Sequence, residues 1–143
     1  MAEIVYRENA LTGAVLVEIR NAIGWGVTPV FQAEAAIAHT RYAVEAVCGD
    51  RTVGVGRLVG DGALIWYLQD VIVLPEFQSE GIGRAVVERL VEYARAHSLP
   101  GTRVAVGLMA AKEKEGFYGK LGFRVRPNEQ EGPGMMLNFD VPV

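Results

Sequence analysis

The chain has 143 residues, 50% hydrophobic and 22% charged, a balance that excludes a disordered segment and fits one globular domain. A formal net charge of -3 and a pI near 5.4, with no run of Lys or Arg, exclude the basic face a nucleic-acid-binding domain carries. No apolar stretch reaches the ~18 residues of a membrane helix. The start, MAEIVYRE, lacks the basic-then-apolar pattern of a signal peptide, so a soluble, reduced, cytoplasmic protein is expected.

Glu3 to Arg7 alternates and predicts a first strand. Thr12 caps a helix carrying Val15, Leu16, Ile19 and Ile23 at helical spacing, which Gly24 ends. Trp25 to Phe31 reads as a loop broken by Gly26 and Pro29, and the alanine-rich stretch Gln32 to Thr40 as a second helix. Tyr42 to Cys48 and Val53 to Val59, with a Gly49-Asp50-Arg51 turn between them, form a hairpin signal. Cys48, the single cysteine, reads as an inert buried thiol. His39 and His97 lack acidic or thiol partners at ligand spacing, so no metal site is expected.

After Gly60-Asp61-Gly62, the run Ala63 to Leu74 predicts a long strand stopped by Pro75. Its apolarity on both faces predicts a central position. From Arg84 the period changes: Val86, Val87, Leu90, Val91 and Ala94 make one apolar stripe on a helix ending near His97. Arg103 to Met109 returns to strand, Glu113 to Leu121 is a short helix, and Phe123 to Val125 and Met135 to Val141 are predicted strands. Hairpins first and strand–helix alternation later predict a mixed α/β sheet.

Between the long strand and the amphipathic helix lies Gln78-Ser79-Glu80-Gly81-Ile82-Gly83-Arg84. There the free N–H groups of the first helical turn and the helix dipole form an anion site, and glycines let a phosphate approach the main chain. The bland alternative is a turn in which Gly81 relieves a positive φ and Gly83 permits close helix–sheet packing. Neither familiar nucleotide loop fits. Val86 stands where a dinucleotide fingerprint wants its third glycine, and Gly83-Arg84-Ala85 lacks the hydroxyl that a Walker loop offers magnesium. The ligand is then a pyrophosphate held as a handle, without metal.

Gln78-x-x-Gly81-x-Gly83, after a Val-Ile-Val-Leu-Pro strand end, resembles the acetyl-CoA pyrophosphate loop of the GNAT superfamily of N-acetyltransferases. Gly116-Phe117-Tyr118-Gly119-Lys120-Leu121-Gly122-Phe123 resembles the same family's helix-to-strand ending. The resemblance implies one domain over residues 1–143, with a mixed, mostly antiparallel twisted sheet splayed at a V-shaped cleft and helices on both faces. Acetyl-CoA would be the cosubstrate, its pantetheine arm along the backbone of Val71, Ile72 and Val73. Ser79, Glu80, Gly81, Ile82, Gly83 and Arg84 would wrap the pyrophosphate. The sequence departs from the pattern at Ala111, where many members have a pantetheine-contacting asparagine. It departs again at Glu80, which brings a negative charge that Arg84 can offset.

Acetyl transfer needs a neutral amine, a polarised carbonyl and a proton for the departing thiolate. Tyr118 matches the family's general-acid tyrosine, the alternative being a core aromatic beside Phe117. Asp70 is either a base or orienting group for the amine or a buried structural acid. Tyr67 and Gln69 are candidates for the acceptor pocket. Neighbours on a strand face opposite sides, so Gln69 and Asp70 share a face only across a bulge. By the resemblance the loop between the first two helices covers the acceptor side, making Trp25 and Phe31 candidate wall residues. The acceptor is expected to be a small-molecule or peptide amine, and the apolar C-terminal stretch suggests a homodimer. A non-catalytic acyl-CoA-binding module is the alternative.

Overall fold

A computed structural model describes residues 3–143. They fall into two compact units, one ending at Leu108 and one running Met109–Val143.

The first unit is a five-stranded sheet in sequential order, with strands β1 (Ile4–Glu8), β2 (Tyr42–Cys48), β3 (Arg51–Gly60), β4 (Ile65–Val73) and β5 (Ala105–Gly107). The first three pairings are antiparallel and β4–β5 is parallel, so the sheet is mixed, as the sequence predicts. Three helices flank it: α1 (Gly13–Ala22), α2 (Val30–Ala38) and α3 (Ile82–His97). Thr12 caps α1, its Oγ1 accepting from Val15 N at 3.2 Å. The predicted loop before α2 is two residues shorter than expected. Pro29, at φ -59°, starts the helix, its carbonyl accepting from Gln32 and Ala33.

α3 packs Val86, Val87, Leu90 and Ala94 of its predicted stripe against the sheet, with Ile82 added, while Val91 of that stripe is half-buried. Val86 and Leu90 are fully buried, each contributing about 1.5–3 kcal/mol. They fit because β3 carries Gly56. A Cβ there would stand 2.6 Å from Val86 Cγ1 and 2.9 Å from Leu90 Cδ1. Residues alternate across a strand, so Arg57 points to the opposite face, where it meets Asp70 of β4 and Thr40, just beyond α2. Helices therefore lie on both faces of the sheet.

The doubly buried strands are β2 and β3 rather than β4, whose residues alternate between buried and half-buried. β4 is apolar on both faces yet has β5 as a partner for only three residues, which leaves one edge and part of one face open. No helix among the described residues is long and apolar enough to cross a membrane.

The second unit holds one short helix, α4 (Glu115–Lys120). Its end is a Schellman cap: Phe123 N donates to Tyr118 O at 3.2 Å, Gly122 N to Gly119 O at 3.1 Å, and Gly122 adopts φ +97°. That cap is the physical content of the Phe-Tyr-Gly-Lys-Leu-Gly-Phe motif. The strands expected at Phe123–Val125 and Met135–Val141 are not formed. Arg124 donates twice to the Glu131 carboxylate at 2.7 Å, and Asn128 closes the turn between them, so the first of these segments is held as a turn. The second has a strand's alternation but no ladder partner among the described residues, and Met135, Leu137 and Phe139 are 86%, 83% and 77% exposed.

Candidate active site

The cleft begins where two strands part. β4 and β5 pair at Ile65–Ala105, Trp66–Val106 and Tyr67–Gly107, and there β5 stops while β4 runs on to Val73. On its other edge β4 stays paired with β3 as far as Val73–Gly54. Backbone groups of Leu68–Val73 on the open edge thus have no strand beside them among the described residues. Val71, Ile72 and Val73, the residues expected to meet the pantetheine arm, lie on this stretch.

Beyond β4 the chain makes one 3₁₀ turn at Pro75–Phe77 and enters the glycine loop. Ser79 and Gly81 are both left-handed, at φ +67° and φ +84°, and α3 follows with Gly81 as its N-cap. No side chain caps that end and no acidic residue occupies its first turn; the first helical bond is Ala85 N to Gly81 O at 3.0 Å. The amides of Ile82, Gly83 and Arg84 therefore stand free at the positive end of a 16-residue helix, the geometry of an anion site. The loop's side chains divide the labour. Ile82 is buried against Gly54, while Ser79, Glu80 and Arg84 face solvent. Arg84 pairs with Glu88 at 2.9 Å, so Glu80 is not neutralised in the way the sequence suggests.

Gln78 has a different post. Its Nε2 donates to Val73 O at 2.9 Å, tying the loop back to the end of β4. Arg51, the first residue of β3, reaches Glu76 at 3.0 Å and stacks over Phe77 at 6.0 Å, bracing the 3₁₀ turn. Both partners of that ion pair are more than half exposed, so it adds little stability.

Asp70 sits at the base of the open edge, and the structure gives it company that the sequence did not reveal. The β3–β4 register passes from Val55–Ile72 to Arg57–Gln69, so Gly56 faces two residues, Asp70 and Val71. This is a β-bulge, with Asp70 at φ +49°. Trp66 lies on the α3 face, bonded to Ser98 and edge-on to Tyr93, and simple alternation would send Asp70 there too. The bulge turns it over. Its carboxylate meets Arg57 Nε at 2.8 Å and the Arg20 guanidinium from α1, with the side chain 2% exposed. Arg57 Nη1 also donates to Thr40 Oγ1 at 2.9 Å, and Thr40 Oγ1 donates to Ala36 O. Both oxygens of Asp70 are engaged, the geometry of a buried structural acid. No amine can approach an enclosed carboxylate.

Of the acceptor candidates, Tyr67 and Gln69 alternate onto the face away from Trp66, and Tyr67 borders Gly107 where β5 ends. Burial pushes the Tyr67 phenol above its usual value. Trp25, 41% exposed, is linked to the Asp70 cluster through Arg20, whose guanidinium lies 5.6 Å from its ring. Phe31 is 77% exposed at the start of α2.

In the second unit, Tyr118 is half-buried, edge-on to Phe117 at 4.9 Å and to Phe123 at 5.9 Å. Burial raises its phenol above 10.0, so it is protonated throughout the neutral range.

The profile of the family described as "Acetyltransferase (GNAT) domain" matches residues 38–125, which contain both motifs and the splayed strands. The chain belongs to the GNAT acetyltransferase family. Among curated GNAT-type relatives, GCN5-related N-acetyltransferase 1, chloroplastic, of Arabidopsis thaliana is 35% identical over 116 residues, covering 78% of this chain and 55% of that protein. Serotonin N-acetyltransferase 2, chloroplastic, of Oryza sativa subsp. japonica is 38% identical over 82 residues, covering 57% of this chain and 39% of that one. The chain thus spans about half or less of the length of these two relatives. Among solved structures, a probable acetyltransferase from meticillin-resistant Staphylococcus aureus superposes with a TM-score of 0.82 at 26% identity, covering 97% of this chain and all of the other. The expected fold class, a mixed sheet flanked by helices, is the one this GNAT chain has.

Proposed function

We propose that the chain is an N-acetyltransferase that moves the acetyl group of acetyl-CoA directly to an amine bound beside it. The observation that carries this reading is the open edge of β4, followed after one 3₁₀ turn by a loop with two left-handed residues and an uncapped helix start. An extended amide-bearing arm suits the edge, and the pyrophosphate at its end suits the free amides of Ile82, Gly83 and Arg84. No metal is needed in this scheme, because the pyrophosphate is a handle and not a leaving group.

In the reaction the neutral amine nitrogen bonds to the thioester carbon, the carbon–sulfur bond breaks, and the amine's proton passes to solvent. Tyr118 supplies a proton to the departing thiolate, a role that its neutral phenol suits. Water rather than Asp70 takes the amine's proton, given how Asp70 is enclosed. Trp25 and Phe31, with Tyr67 and Gln69, form the acceptor side and suit an amine with an apolar or aromatic body. The rice relative's name points to one such amine to try. The exposed Met135, Leu137 and Phe139 support a homodimer.

The test is thiol release from acetyl-CoA with a panel holding serotonin, tryptamine, spermidine, lysine and an N-terminal peptide, beside calorimetry with CoA. Binding plus release with one amine supports the proposal. Binding with no release on any amine points to a CoA-sensing module, and no binding at millimolar CoA overturns the cofactor assignment.

A further inference from the structure

The β4 bulge is held by two arginines, one from α1 and one from β3, and Thr40 holds the second of them. A residue with a Cβ is strained at φ +49°, and such a conformation persists only where its surroundings over-determine it. Asp70 has those surroundings: Arg20 from α1 on one oxygen, Arg57 from β3 on the other, and Thr40 just beyond α2 holding Arg57. Trp25 joins through its backbone N–H, which donates to Arg20 O at 3.0 Å.

We infer that Arg20, Arg57 and Thr40 are positioning residues that act through Asp70, fixing the bulge so that Val71–Val73 present the correct backbone groups at the open edge. The reason is register. On an extended strand, successive N–H and C=O groups alternate between the two edges, so losing one bulged residue would exchange those facing the cleft for those facing β3. The bulge lies directly between the last β5-paired residues and the edge expected to take the pantetheine arm. Asp70 thus serves the chemistry through geometry, without touching a substrate. This inference rests on the acetyl-CoA reading above.

The experiment compares Asp70→Gly with Asp70→Ala. Both remove the carboxylate and leave the same two guanidinium groups without it, so both are expected to melt earlier than the wild type. They differ in the backbone, because glycine adopts a positive φ freely and alanine does not. With folding checked by circular dichroism, Asp70→Gly is expected to bind CoA at least about five-fold more tightly than Asp70→Ala. The KM for acetyl-CoA should follow the same order. A catalytic base predicts otherwise: both variants bind CoA like the wild type and lose turnover by the same factor, and that result overturns the inference.

Thr40→Val keeps all three charges and decides the matter should neither Asp70 variant fold. It is expected to weaken CoA binding a few-fold with the alkaline pH profile unchanged, and an unaltered Kd overturns the inference. A wild type that does not bind CoA strikes the cofactor reading instead, and calorimetry on the unmutated chain shows that first.

Discussion

Replacing Gly81 separates a cradle from a turn. Gly81 is left-handed at φ +84°, and a Cβ built there meets nothing within 4 Å. A Cβ at this position therefore clashes with no atom of the protein, and the stability cost is chiefly the backbone term, about 1–2 kcal/mol. For a domain of this size that is a fall in Tm of roughly 3–8 °C. The effect on a phosphate is different. The new side chain projects from the N-cap of α3 beside the free amides of Ile82 and Gly83, and losing one hydrogen bond to a charged group costs about 1.5–3 kcal/mol. Gly81→Val is thus expected to weaken CoA about ten- to hundred-fold while leaving a cooperative melt. Calorimetry with CoA and with pantetheine, which lacks the pyrophosphate, makes the reading specific: the first should lose affinity and the second should not. Equal affinity of variant and wild type for CoA would refute the cradle. Equal losses for both ligands would place the damage in the strand rather than the phosphate site.

Tyr118→Phe should keep the edge-on packing with Phe117 and Phe123, lower kcat by about 10²–10⁴-fold and leave the CoA Kd unchanged, as read by stopped-time thiol release. Because burial raises the phenol above 10.0, its protonated form persists as pH rises, so the acid function should be lost only above pH 10; an alkaline limb well below that which disappears in Tyr118→Phe contradicts the raised value. Gly56→Ala would set a methyl 2.6 Å from Val86 and 2.9 Å from Leu90, so urea unfolding should show about 1–3 kcal/mol of destabilisation, unlike any loss confined to ligand binding. Light scattering should report a dimer that Leu137→Asp and Phe139→Asp dissociate, since both side chains are more than three-quarters exposed; a wild-type monomer at working concentration removes the basis for it.

What the sequence reveals and what it hides follow from the range of the forces involved. Helices are legible where one face carries the packing. The stripe from Val86 to Ala94 lies where its period places it, and Thr12 caps α1 because a side chain and an amide three residues apart need no distant partner. The glycine loop is legible for the same reason: a left-handed residue and an uncapped helix start are local features. Strands are less so, since a ladder needs a neighbour. Ala63–Leu74 shows a strand but not that β5 accompanies it for three residues only, and it is this shortfall that opens the cleft. Met135–Val141 has the alternation without the neighbour, and no strand results.

The Asp70 cluster lies at the far end of that scale. Arg20, Thr40, Arg57 and Asp70 are spread over 50 positions, and each alone reads as an ordinary polar residue on its element. The one local hint is cost. A carboxylate in an apolar strand needs partners or a task, and the arginines supply the partners. Two guanidinium groups on one carboxylate leave the cluster with an excess positive charge, and 26% of the Arg20 side chain remains in contact with solvent. A base would need the reverse, a carboxylate reaching into the cleft with an oxygen to spare. The charge arrangement and the bulge geometry therefore point the same way: Asp70, the polar residue most conspicuous in the sequence, is bound to its two arginines at the bulge, and under the proposed function the chemistry would fall to the backbone of the loop and to Tyr118, whose buried phenol stays protonated.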